Sequence, residues 1–169
     1  MQSTHTRRGQ RGLTMVESLV ALVVLSTGML GIAGLYVTSL KAERNALSRT
    51  HAVYLVNDII DRIRANAPAR GAYDTASYTG GPQDKGCVAG TTNCSSAALA
   101  EDDLYHWIEE VKTALPNYKT ATVTFTPAAS AGQPDNFRVR LEWVDAGDGS
   151  QQNAPSSLET NVQIIPVKP

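Results

Sequence analysis

The chain is short of the residues that most enzymes display. It has three histidines, His5, His51 and His106, far apart in sequence and with no HxxxH or HExxH spacing, so no metal site is expected. There is no GxSxG elbow, no glycine-rich phosphate loop and no Cys–His pair at a recognisable spacing. No catalytic residue, metal or cofactor is therefore expected, and the reading is of a non-enzyme. Only two cysteines occur, Cys87 and Cys94, spaced C-x6-C with no second pair, which speaks against a zinc site. Aromatics are sparse at 6 % and charged residues at 18 %; the second figure, beside 42 % hydrophobic residues, excludes a disordered chain.

The scarcest feature is local. Between Leu13 and Val37 runs LTMVESLVALVVLSTGMLGIAGLYV, with Glu17 as its single charge. A helix needs about 20 such residues to cross a bilayer. Residues 1–12, MQSTHTRRGQRG, carry Arg7, Arg8 and Arg11 and no acid, which keeps the N-terminus cytoplasmic. The chain after Tyr36 is then exported. Residues 13–169 hold twelve basic against sixteen acidic side chains, and a mildly acidic domain gives no reason to expect nucleic acid. In an exported stretch the two cysteines form a disulfide, closing an eight-residue loop worth about 2.5 kcal/mol in the chain-entropy view. A free pair, or half of a metal site, is the other reading.

No Gly or Pro interrupts Thr38 to Ala67. Leu40, Leu47, Val53/Tyr54, Val56, Ile59/Ile60 and Ile63 recur at helical spacing along one stripe. Asp58 and Arg62 form an i,i+4 pair, and Pro68 and Gly71 stop the helix. The pattern predicts one helix from about Met15 to about Asn66, roughly 75 Å at 1.5 Å per residue. Its first half suits lipid or a helix bundle, and its second half suits packing on a domain. Gly28, Gly31 and Gly34 fit either close helix packing or local melting of the helix.

Residues 67–97 read as loop, with Gly-Gly-Pro and the cysteine pair. A helix from Ala98 to Ala114 is expected next, with Leu99, Leu104, Trp107/Ile108 and Val111 on one face and Pro116 beyond it. Its acids Glu101, Asp102 and Asp103 would favour the helix N-terminal dipole. Trp107 and Trp143 are expected in the core. Three strands are expected over 121–126, 137–144 and 160–167, the second with Phe137, Val139, Leu141 and Trp143 opposed to Arg138, Arg140 and Glu142. A helical spine on three strands makes an α+β layer. The divisions are a leader over 1–12, a membrane half over 13–37, an amphipathic half over 38–67, a loop over 68–97, and an exported helix plus antiparallel sheet over 98–169.

The stretch Arg11-Gly12-Leu13-Thr14-Met15-Val16-Glu17 resembles the class III signal of type IV pilins and of type II secretion pseudopilins. The resemblance implies a pilin-like α+β fold and cleavage by a prepilin peptidase between Gly12 and Leu13. It also implies N-methylation of Leu13, and an assembly role for the Glu17 carboxylate, which would pair with the Leu13 amine of a neighbouring subunit. The family's commonest pattern has Phe at Leu13 and Leu-Ile at Met15-Val16, so the departures are apolar for apolar. STGMLGIAGLYVTSLKAERNAL and AVYLVNDIIDRIRANAP resemble minor pilins of the PilV type. The function implied is that of a minor pilin in pilus assembly, priming or a tip complex. Its partners would be other minor and major pilins, the prepilin peptidase, the inner-membrane assembly platform and, before assembly, membrane lipid. Its place would be the bacterial inner membrane, single-pass, with the C-terminal domain periplasmic, and then the pilus. Alternatives are a type II secretion pseudopilin, a protein carrying an ordinary secretory signal, and a membrane-anchored periplasmic binding domain or enzyme. Arg44, Arg49, Asp61 and Arg64 are candidates for pairing between subunits.

Overall fold

The structure, a computed structural model, describes residues 14–87, 90, 93–130, 132–145 and 155–164. Helix α1 spans Met15–Ala65 and helix α2 spans Ser96–Ala114. Strands β1 (Thr120–Thr126), β2 (Asp135–Trp143) and β3 (Ser156–Ile164) form one sheet in the order β1-β2-β3, antiparallel throughout. The chain separates into two compact units, 1–40 and 41–169, which are described in turn.

In the first unit every described residue is solvent-exposed, including Met15, Val23, Leu30 and Ile32. The helix forms because its backbone satisfies itself and its hydroxyls turn inward. Ser26 Oγ donates to Leu22 O at 2.7 Å, and Thr38 Oγ1 donates to Leu35 O at 2.8 Å. Such back-bonding lets Ser and Thr sit in an apolar helix without an unpaired polar atom. A Cβ added at Gly28, Gly31 or Gly34 would meet nothing within 4 Å, so these glycines answer no packing need within this chain.

In the second unit the rest of α1 packs one stripe into the core. Ala52, Leu55, Val56, Ile59, Ile60 and Ile63 are buried. The stripe read from spacing is shifted at its start. Tyr54 is 71 % exposed and Leu47 52 %, while Leu55 is buried in their place. Burying a side chain such as Ile59 is worth about 1.5–3 kcal/mol, so stability is concentrated in the last four turns of α1.

The expected loop over 67–97 contains 3-10 helix at Ala67–Tyr73 and Thr75–Ser77. Pro68 does not simply stop α1; it stands in the first turn of the 3-10 segment, where its missing N–H costs nothing. The second short turn closes the sheet. Thr75 Oγ1 donates to Val123 O at 3.0 Å and accepts from Val123 N at 3.3 Å, and Asp74 Oδ2 accepts from Phe125 N at 3.3 Å. These side chains take the place of a fourth strand along β1, protecting that edge.

Helix α2 begins two residues before the expected start, capped by Ser95, whose Oγ accepts from Ala98 N at 3.2 Å. Its buried face is Ala100, Leu104, Trp107 and Val111, with Leu99 and Ile108 only half-buried. No acid lies in its first turn, and Asp102 and Asp103 are buried rather than dipole-facing surface groups. Trp107 and Trp143 are both core residues. On β2 the alternation holds, with Phe137, Val139, Leu141 and Trp143 buried. Strand β3 begins at Ser156, four residues before the expected start, because Ser156 and Ser157 continue the pairing with Trp143 and Glu142. The last expected residues of that strand lie outside the described residues.

Candidate functional site

Gly12 and Leu13, the residues of the expected cleavage and methylation site, lie outside the described residues. The described chain takes up at Thr14, which caps α1. Glu17 N–H donates to Thr14 Oγ1 at 3.3 Å, and Ser18 N–H donates to Thr14 O at 3.2 Å, the first bond of the helical ladder. Thr14-Met15-Val16-Glu17 therefore has the spacing of a capping box. Only one half of that box is made. The Glu17 carboxylate accepts no hydrogen bond and joins no ion pair among the described residues. It projects from the first turn of a helix whose described residues up to Leu40 are all exposed. This is the one helix among the described residues long and apolar enough to cross a membrane.

The expected disulfide is formed. Cys87 and Cys94 are bonded, with Cα atoms 5.8 Å apart. The segment leading into it is fixed onto α2. Gln83 N–H donates to Glu101 Oε1 at 3.1 Å, Lys85 N–H donates to Asp102 Oδ1 at 2.5 Å, and Lys85 Nζ lies 3.0 Å from Glu101. His106 Nε2 lies 3.8 Å from Asp102 and 3.9 Å from Asp84. The three side chains thus come together in space, although the histidine spacing gave no sign of a cluster. Asp102 already serves the backbone of the loop, and the arrangement reads as a clamp.

A second set of polar groups joins α1, the first 3-10 segment and α2. The Tyr73 hydroxyl donates to Asp103 Oδ2 at 2.6 Å and accepts from Asn66 Nδ2 at 3.3 Å. Asn66 Nδ2 also donates to Ser96 O at 2.8 Å. Arg62 reaches Asp58 at 2.8 Å and Asp103 at 3.3 Å, so the expected surface pair has a third member. Burial works against the Arg62 charge, but the carboxylates of Asp58 and Asp103 outweigh it and hold the guanidinium above its ordinary value. Burial and the bond to Asp103 push the Tyr73 phenol well up. Of the four charges considered for contacts between subunits, Arg64 and Asp61 pair with each other on α1 at 3.1 Å.

Comparison with known families gives two adjoining matches. Residues 7–33 match the prokaryotic N-terminal methylation motif, and residues 34–105 match the type IV pilin Tt1218-like family. No curated protein and no solved structure matches the chain. The two family matches abut and together run from residue 7 to residue 105. They liken residues 34–105 to type IV pilins and residues 7–33 to the N-terminal signal that such methylated proteins carry. The Tt1218-like match begins within α1 and ends within α2.

Proposed function

We propose that this chain is a minor pilin of a type IV pilus, of the PilV type, acting in assembly priming or at the tip. The prepilin peptidase cuts between Gly12 and Leu13, Leu13 is N-methylated, and the subunit waits in the inner membrane with its C-terminal domain in the periplasm. It then joins other pilins through the apolar half of α1. The observation that carries this reading is the Glu17 carboxylate, unpartnered among the described residues one turn into an exposed apolar helix. A charge in an apolar segment is costly and marks function by default. Facing the Leu13 amine of a neighbour, it gains an attraction that little water screens. The pairing also sets the register between subunits. The minor, PilV-type role is supported by the likeness of residues 8–68 to that subfamily.

The test is the fate of Glu17→Ala beside Gly12→Leu in the native organism. Glu17→Ala should be cut to an N-terminus at Leu13, read by mass spectrometry, yet be absent from sheared pili. Gly12→Leu should remain full length. Normal incorporation of Glu17→Ala would remove the carboxylate from the mechanism, and an N-terminus near Gly34 would point to an ordinary secretory signal instead.

A further inference from the structure

We propose that Asp84, Asp102 and His106 form a binding site for a divalent transition-metal ion, where the loop leading into the disulfide meets α2. The site is independent of the processing signal and of Glu17. Asp102 and His106 stand one turn apart on α2 and so share a face. Asp84 reaches them from the loop ahead of Cys87. His106 Nε2 lies 3.8 Å from Asp102 Oδ2 and 3.9 Å from Asp84 Oδ1. One donor atom from each of the three residues falls within 4.8 Å of the others. Histidine spacing cannot signal such a set, since two of its donors are carboxylates and one lies on a loop.

The imidazole makes this set more than an acidic patch. Its nitrogen offers a lone pair without negative charge, and it sits between carboxylates from two different elements. Backbone groups aim those carboxylates. Lys85 N–H donates to Asp102 Oδ1 at 2.5 Å, and Gly86 N–H donates to Asp84 Oδ1 at 2.8 Å, support of the kind that orients metal ligands. Two carboxylates brought this close repel each other, and burial of Asp102 adds to the cost. A divalent cation held between them turns that repulsion into attraction.

The donor chemistry narrows the ion. One nitrogen and two carboxylate oxygens suit a first-row transition ion such as Zn2+, whereas magnesium and calcium favour oxygen alone. Three protein ligands leave a fourth position for water, as tetrahedral zinc accepts. Zinc bonds of about 2.0–2.1 Å set ligand atoms about 3.4 Å apart, so the two histidine–carboxylate gaps close by about 0.5 Å on binding. Buried Asp102 is the fixed point, while half-buried His106 and exposed Asp84 have room to move onto it. The bound ion then ties the loop to α2 beside the disulfide.

The test titrates Zn2+ into the full-length, disulfide-bonded protein in detergent, by calorimetry, with Mg2+ as the oxygen-seeking control. The natural chain should bind one Zn2+ and melt at a higher temperature with it. His106→Gln and Asp84→Asn change accessible positions and should keep the zinc-free melting temperature. Each should weaken Zn2+ binding by at least about tenfold, since losing even a supporting group costs about 10- to 100-fold. Absence of saturable Zn2+ binding would overturn the site. So would unchanged binding by His106→Gln, which would put the ion on other donors. Mg2+ binding as tight as Zn2+ would also overturn it, reducing the cluster to an acidic patch. A melting temperature that follows pH but not Zn2+ would make His106 a protonated partner of the two carboxylates and remove the metal.

Discussion

The indole Nε1 of Trp107 donates a 2.8 Å hydrogen bond to the backbone carbonyl of Leu55, 52 residues earlier in the chain. Both residues are buried. The bond joins the middle of α2 to the buried stripe of α1, so the two helices share one register. A mid-helix carbonyl has a second lone pair to give, and a buried indole N–H needs an acceptor.

Trp107→Phe keeps most of the ring contact and loses this bond, and should cost about 1–2 kcal/mol of unfolding free energy. Trp107→Ala leaves a cavity between α1, α2 and the sheet, and should cost about 3–5 kcal/mol. Urea unfolding followed by circular dichroism would measure both. A Phe variant as damaged as the Ala variant would show that the hydrogen bond, and not the volume, dominates at this position.

The Tyr73–Asp103 bond predicts an alkaline limit to stability. Unfolded tyrosine loses its proton near pH 10, whereas burial and the Asp103 acceptor keep the Tyr73 proton bound above that value. Between the two, the folded state holds more protons than the unfolded state. The stabilisation is complete below about pH 10 and is lost as pH rises beyond it. Melting temperatures measured from pH 7 to pH 11 should fall steeply above about pH 10. In Tyr73→Phe the neutral-pH stability should drop by about 1–3 kcal/mol as Asp103 loses a donor, and this part of the alkaline fall should vanish. An unchanged alkaline slope in Tyr73→Phe would assign the effect to another group.

The Cys87–Cys94 bond closes a loop already fixed at one end by Glu101 and Asp102. Replacing both cysteines by serine should lower stability by about 2.5 kcal/mol in the chain-entropy model. The clamp to α2 gives the reduced loop residual order, so a smaller loss is the informative alternative. Adding Asp102→Ala to the serine pair should then cost more than it does with the disulfide intact, as unfolding curves of the four variants would show.

What could be read from the sequence and what could not divide along physical lines. The run from Met15 to Ala65 was legible because one period governs it and no breaker interrupts it. The alternation of Phe137, Val139, Leu141 and Trp143 was legible for the same reason, and the disulfide because only two cysteines exist. Segment 67–77 read as loop because a 3-10 turn has no apolar period of its own. Its order comes from Asp74 and Thr75 bonding to β1, about 50 residues away in sequence. Tyr54 and Leu47 were placed in the buried stripe because spacing shows that a face exists, not where the partner layer ends. Asp102 and Asp103 read as part of a helix N-terminal acid cluster favoured by the dipole, since their partners Lys85, Tyr73 and Arg62 are distant in sequence. Thr14 carried a signal that spacing alone offers, the T-x-x-E of a capping box.

A final prediction turns on unequal partners. Asp135 opens β2 and is 3 % exposed; its Oδ2 accepts from Arg70 Nη1 at 2.8 Å and its Oδ1 accepts from Ala128 N at 2.9 Å. The Arg70 side chain is 41 % exposed, so on losing Asp135 it can turn to water. Asp135, on losing Arg70, stays buried with its charge supported, among the described residues, by the Ala128 N–H. A surface-style pair would lose under about 1 kcal/mol whichever partner is cut. Here Asp135→Ala should cost about 2–3 kcal/mol, since it removes the acceptor that ties the β1–β2 connection to β2. Arg70→Ala should cost more than a surface pair does, because it strands a buried carboxylate. Once Asp135 is gone, however, Arg70→Ala should add almost nothing. Unfolding free energies of the two single variants and the double variant close the cycle. Additive losses would show that Arg70 stabilises the 3-10 segment by some contact other than Asp135.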